Sequence, residues 1–397
     1  MERKATSSGS KKLKLLQATI RRKLQTGKSS RSYDRFYFSD LLKSSSKTKR
    51  IQSFMKKTFA NKFKLNNRLQ YYNYINSKII DVTTTECLDD KKFNDSNDGF
   101  TIRNIINLEK KIGTEGFNGS IYLTSVKNAF GSFPIATKLM ENTDENLNEV
   151  SLMRFITDNI IKQKYSKHFL MTYKSCICNI DDYPKDRKLI SINEIANGDL
   201  NNLIDNEVVV NDKELLYNLL FQAIISIATF HNIVNNVHQD IHAGNFLWHK
   251  NNEKGYYHYI FDGESYYLRA CGYNIMLYDF GYATNIRSKK SILKILSDYS
   301  ELLPSFLKNE FEDDLPVPDD DIIQEFYSMI EILMVEYRKI SQKYKPTQSS
   351  PSSKKKYQEI YFNYVIDKIL LPYSPTDMFT KNKPKKVINN DPYYINI

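Results

Sequence analysis

His238 to Trp248 reads HQDIHAGNFLW, and two readings compete for it. As a helix it would set His238 and His242 four apart on one face, the spacing of a zinc pair. Gly244 interrupts such a helix and the glutamate of a metalloprotease motif is missing, so the loop reading prevails. As a loop bordered by apolar residues, the stretch offers Asp240 to take or orient a proton. Asn245, five residues later, is placed to hold a cation. His238 then reads as a packed histidine that supports the loop backbone, and Trp248, the single tryptophan, as core.

Downstream, NIMLYDFGYA from Asn274 carries an apolar run that delivers Asp279 at its end, ahead of Phe-Gly. Upstream, LEKKIGTEGFNGSIYLTSV from Leu108 spaces Gly113, Gly116 and Gly119 between alternating apolar residues, the pattern of two strands joined by a glycine-rich turn. Glycine in such a turn lets backbone N–H groups approach phosphates without a Cβ in the way. FPIATKLM follows from Phe133 as a strand whose polar outlier is Lys138, and ENLNEVSLMRFI from Glu145 reads as a helix carrying Glu149 toward that lysine.

In this order the motifs resemble those of the eukaryotic-type protein kinase superfamily, in a divergent form, across about residues 108 to 281. IATK is similar to V-A-I-K, HQDIHAGN to H-R-D-x-x-x-x-N, and DFG stands intact. The resemblance implies an α+β, two-lobed protein-kinase-like fold with a small antiparallel-sheet N-lobe and a mainly helical C-lobe. It also implies ATP and Mg2+ as cofactors. By position, Lys138 would hold the α- and β-phosphates and pair with Glu149, and Asp240 would orient or deprotonate the acceptor hydroxyl. Asn245 and Asp279 would hold magnesium, while Gly113, Gly116 and Gly119 would cover the phosphates. LISINEIANGDL from Leu189 resembles the hinge between lobes, with Asn193 as gatekeeper and Glu194 and Ala196 as backbone contacts to adenine.

The departures from the family pattern are informative. Thr114 stands where the first family glycine is expected. Gln239 replaces the arginine that receives an activation-loop phosphate, which argues against regulation of that kind. His242 replaces a lysine, as in haspin-like kinases and in aminoglycoside and choline kinases, and is included among the catalytic candidates. No A-P-E motif follows DFG. Asp298 in SDYSELL is expected to anchor the catalytic loop, which leaves a short activation segment. YYHYIFDGESYYLRACGY from Tyr256 places Asp262-Gly263 between two aromatic alternating runs, a hairpin signal. Such an insertion, at about 255–272, resembles atypical kinases of large DNA viruses, in keeping with the Lys-, Asn-, Ile- and Tyr-rich composition of AT-rich genomes.

The expected domains are a basic Ser-rich arm at 1–75, an N-lobe at 100–196 and a C-lobe at 197–397. The expected reaction is phosphoryl transfer to Ser or Thr of a protein, with a small-molecule hydroxyl kinase and an inactive pseudokinase scaffold as alternatives. All of Lys138, Glu149, Asp240, Asn245 and Asp279 carry the chemically competent residue, which speaks against the scaffold.

Charge is unevenly placed. Residues 1 to 70 hold 20 Lys and Arg against three acids, whereas the rest of the chain is net negative. Within the arm, Leu13, Leu16, Ile20 and Leu24 form an apolar stripe flanked by cations, suited to nucleic acid or an anionic membrane. KPTQSSPSSKKK from Lys345 reads as a surface insertion. The longest apolar run, from Asn218, is broken by Gln222, Ser226 and His231 and reads as a buried helix, so no transmembrane segment is expected. Residues 1 to 12 lack the apolar core of a secretory signal. The four cysteines make neither a CxxC pair nor a disulfide framework, and an intracellular, reducing setting in cytoplasm or nucleus is expected.

Overall fold

The computed structural model describes residues 64–91, 99–116, 119–127, 129, 135–178, 188–286, 289–307, 315–343 and 352–397. The stripe from Leu13 to Leu24 lies outside the described residues, as does most of the expected surface insertion from Lys345.

The described chain opens with helix α1 (Leu65–Lys78), whose buried positions Leu65, Arg68, Tyr72 and Ile75 recur at helical spacing. This corrects the expected arm of 1–75 at its end. The stretch is packed into the fold, with Tyr71 and Tyr72 against Tyr173.

Seven antiparallel strands follow among the described residues: β1 (Asp89–Lys91), β2 (Gly99–Ile102), β3 (Ile106–Gly116), β4 (Gly119–Val126), β5 (Ile135–Glu141), β6 (Thr172–Cys178) and β7 (Lys188–Glu194). Their spatial order is β1-β2-β3-β4-β5-β7-β6. The small lobe therefore begins well before residue 100. Between β5 and β6 lies helix α2 (Asp144–Ile156), started by Thr143, whose hydroxyl accepts from the Asn146 N–H at 3.2 Å. Two acids in its first turn face the positive end of the helix dipole. Its buried stripe runs through Asn146, Glu149, Val150, Met153 and Ile156, so Glu149 is carried inward by its apolar neighbours.

Cys87 and Cys178 are joined by a disulfide, with Cα atoms 4.6 Å apart across 91 residues of chain. The cysteine spacing carried no sign of it, because the bridge is a single tertiary contact and not a framework.

After β7 the chain crosses to the second lobe. Its centre is helix α3 (Lys213–Thr229), in which every residue from Leu216 to Thr229 is buried, the apolar run expected to be a core helix. Around it stand α4 (Lys289–Ser305), α5 (Asp320–Lys343) and α6 (Ser352–Val365). The strands of this lobe are short: β8 (Gly198–Asp199), β9 (Asn236–Val237), β10 (Phe246–Lys250), β11 (Tyr256–Phe261), β12 (Glu264–Arg269), β13 (Tyr273–Leu277), β14 (Thr284–Asn285), β15 (Phe379–Thr380) and β16 (Tyr393–Tyr394). Strands β10 and β13 pair antiparallel with Phe246 opposite Leu277, which brings the ends of the two sequence motifs side by side.

Strands β11 and β12 form the expected hairpin, turning at Asp262 (φ 51°) and Gly263 (φ 77°), the left-handed pair that a two-residue turn requires. The hairpin is not a free appendage. It forms the centre of a four-stranded sheet, flanked by β15 and β16 from the end of the chain. Phe379 and Phe362 pack it onto the helices through Phe221 and Phe261.

Candidate active site

Lys138 extends from β5 and is 4% exposed. Its Nζ lies 2.8 Å from both Glu149 oxygens and 4.0 Å from Asp279 Oδ1. Three elements from two lobes thus meet on one ammonium, as the sequence order implies. Burial alone would pull the lysine down, but Tyr278, Glu149 and Asp279 outweigh it and hold the ammonium above its ordinary range. The Tyr278 ring, whose centroid is 5.4 Å from Nζ, is a member of this cluster that motif reading passed over.

Asp240 and Asn245 form a second unit. The Asn245 amide donates to the Asp240 carbonyl at 2.7 Å and to its Oδ2 at 2.9 Å, which fixes the aspartate rotamer. Asp240 remains 40% exposed, open to an incoming group. The Tyr278 N–H donates to the Asn245 carbonyl at 2.9 Å, so the two units share a backbone bond. The side chain of Asn245 spends its N–H groups on Asp240, and its Oδ1 takes no hydrogen bond among the described residues. Asn245 Oδ1 and the Asp279 carboxylate are both oxygen donors, the type a hard divalent cation such as magnesium requires.

His242 is half exposed, its Nε2 3.8 Å from Asp240 Oδ2. Its Nδ1 accepts from the Gly244 N–H at 3.1 Å, which places the ring proton of the neutral form on Nε2, toward Asp240. A Cβ on Gly244 would meet this ring at 2.9 Å, so the glycine is needed by the histidine. His238 faces the other way. It is buried, with Nε2 donating to the Tyr278 carbonyl at 3.0 Å, and it packs on Phe230 and Phe280. Trp248 is buried as expected, against Tyr273.

The loop backbone is anchored by Asp298, which is fully buried on α4. It accepts from the N–H groups of His238 (2.7 Å) and Gln239 (2.9 Å) and from His231 Nε2 (2.7 Å). The expected anchor is therefore in place. Gln239 adopts φ 68° and donates from Nε2 to the Tyr282 carbonyl at 2.8 Å and to Thr284 Oγ1 at 2.6 Å. Strands β9 and β14 pair beside it, and Asn148 of α2 donates to the Ala283 carbonyl at 3.1 Å. The segment after Asp279 is thus tied to both the 238–245 loop and α2.

The glycine-rich turn is placed less fully. Gly113 and Gly116 belong to β3, Gly116 pairs with Gly119, and residues 117–118 are outside the described residues. Gly119 (φ 126°) is required by packing, since a Cβ there would sit 2.2 Å from the Leu139 carbonyl. The strand leaving the turn runs beside the strand that carries Lys138, because Ser120 pairs with Leu139 and Ile121 with Lys138.

At the hinge, Asn193 is buried, its Oδ1 accepting from Thr172 and Ser191. Ala196 is partly buried between Ile195, whose carbonyl bonds His249 at 2.9 Å, and Asn197. The Glu194 side chain is held by Arg68 of α1. Arg68 does not stand out in the sequence, because it falls among the charges of the basic arm. The available signal was a lone cation inside the apolar stripe of Leu65, Tyr72 and Ile75.

No family model matches the sequence. No curated protein matches it. Among the solved structures that match is the crystal structure of a kinase domain, 17% identical, with a TM-score of 0.33 over 50% of this chain. The chain spans 64% of that domain's length, just under two thirds. The chemistry of the site is carried by the distances above and by none of these likenesses.

Proposed function

We propose that this protein is an ATP- and magnesium-dependent phosphotransferase whose acceptor is a Ser or Thr hydroxyl of a protein. The observation that carries the reading is the convergence of Lys138, Glu149 and Asp279 within 4.0 Å, next to the fixed Asp240–Asn245 pair.

Phosphoryl transfer asks a protein chiefly for positioning and charge neutralisation. Lys138, kept charged and immobile by Glu149, would hold the α- and β-phosphates. Asn245 and Asp279 would hold magnesium, which when bound neutralises phosphate charge. Asp240, exposed on one side and fixed on the other, would orient the acceptor hydroxyl and take its proton. His242 would donate its Nε2–H toward the transferred group. The backbone at Glu194 and Ala196 would receive adenine.

A small-molecule hydroxyl acceptor is the second reading, favoured by one observation. The segment after Asp279 folds back onto β9 within six residues and reaches helix α4 by Lys289, which leaves little room for a peptide-docking platform. Incubation of the full-length protein with γ-labelled ATP and magnesium, in a mixture of proteins and small metabolites, separates the two. Label on Ser or Thr that disappears with Asp240→Asn is the expected result. Label confined to small metabolites would select the second reading, and no transfer to any acceptor would overturn both.

A further inference from the structure

Arg68 spends all three guanidinium nitrogens on hydrogen bonds, yet it lies 70 residues ahead of Lys138 in the sequence. It is 2% exposed. Its Nε and Nη2 donate to the two Glu194 oxygens at 2.8 and 2.7 Å. Nη1 donates to the Lys167 carbonyl at 2.9 Å and Nη2 to the Phe169 carbonyl at 2.6 Å. Each Glu194 oxygen therefore faces one guanidinium nitrogen in a fork that only arginine supplies.

Glu194 is also tied to its own lobe. Its N–H donates to the Met171 carbonyl at 2.8 Å, and its Oε2 accepts from the Met171 N–H at 3.2 Å. The next residues are held from the large lobe: Ile195 by His249, and Asn197 by the Trp248 carbonyl and the Lys250 N–H. Burial opposes ionisation of Glu194, but Arg68 and His249 outweigh it and keep the carboxylate charged. The crossing strand is thereby fixed from three directions, and Arg68 is the contribution of helix α1, upstream of the sheet.

We infer that Arg68 is a positioning residue for nucleotide: by gripping Glu194 it presets the 194–196 backbone on which adenine is read. This rests on the proposed phosphotransferase reading and deepens it at the hinge. The Lys167 and Phe169 carbonyls satisfy further guanidinium N–H groups, as a buried pair requires, and so lock the arginine that holds Glu194. A preset hinge lowers the ordering cost of binding, so its loss falls on nucleotide affinity and leaves the transfer step alone.

The test uses the full chain with Arg68→Lys, which keeps charge but loses the fork, and Arg68→Met, which keeps only the stem. KM for ATP should rise in the order wild type, Lys, Met, reaching about tenfold in the last, with kcat within about twofold. Melting temperatures identify which variants are folded, and the Lys variant carries the comparison if the Met variant unfolds. Folded variants whose KM for ATP does not rise would overturn the proposal, as would collapse of both variants, which would make the pair a stability staple. A wild-type protein without turnover fails earlier, at the phosphotransferase reading, before any variant is compared.

Discussion

On the proposed phosphotransferase reading, Gln239 stands where a phosphate-receiving arginine would leave the segment after Asp279 waiting for modification. Here a neutral amide closes that contact directly, through the Tyr282 carbonyl and Thr284 Oγ1. Two hydrogen bonds of about 1 kcal/mol each hold the segment, so Gln239→Ala should cost up to about thirtyfold in turnover. Phosphatase treatment of the wild-type protein should change nothing. A Gln239→Ala enzyme as fast as wild type would show that the clamp is idle. The loop was legible in the sequence because Asp240, Asn245 and Asp279 each have a chemical reason for their spacing. Tyr278 and Arg68 were not, since a tyrosine ending an apolar run and an arginine near a basic arm both have ordinary explanations. Only the fold shows that they surround Lys138 and Glu194.

Local elements were readable to the extent that their partners lie close in sequence. The hairpin β11–β12 announced itself through Asp262-Gly263 and alternating aromatics, and α2 through its stripe. Its flanking strands β15 and β16 did not, because each is two residues long and pairs with a strand more than 100 residues away. The Cys87–Cys178 bridge was hidden for the same reason. Helix α1 changes how the arm is to be tested. Deletion must stop at residue 63, since removing 1–70 would take Arg68 with it. Loss of residues 1–63 should leave turnover on a small unstructured substrate unchanged and remove salt-sensitive binding to DNA or anionic vesicles. Equal polyanion binding by the shortened chain, measured across a salt series, would assign that binding to the folded body.

On the scale of the whole molecule, the two lobes and the hairpin sheet are linked behind the hinge by buried polar groups. His168 is the clearest: fully buried, it donates from Nδ1 to the Ile275 carbonyl at 2.8 Å and accepts at Nε2 from the Tyr259 hydroxyl at 2.7 Å. Burial first, then the Lys167 and Arg68 charges, lowers its pKa well below 6.5. The folded state therefore stays unprotonated where the unfolded chain takes up a proton. Stability should fall as pH drops through about 6.5 and be flat with respect to this group above it. His168→Gln should flatten that acid limb in a series of melting curves; an unchanged slope would remove His168 as its source.

The central claim is that both lobes meet on a magnesium-dependent phosphoryl-transfer site, with Asp279 as its principal metal ligand. The most direct measurement is release or transfer of the γ-phosphate of ATP by full-length wild type and Asp279→Ala, each with and without magnesium. Wild type should turn over only with the metal. Asp279→Ala should lose about 1000-fold, the scale of roughly 4 kcal/mol of lost charge stabilisation, while still melting as a folded protein. Turnover by a folded Asp279→Ala protein at the wild-type rate would contradict the account.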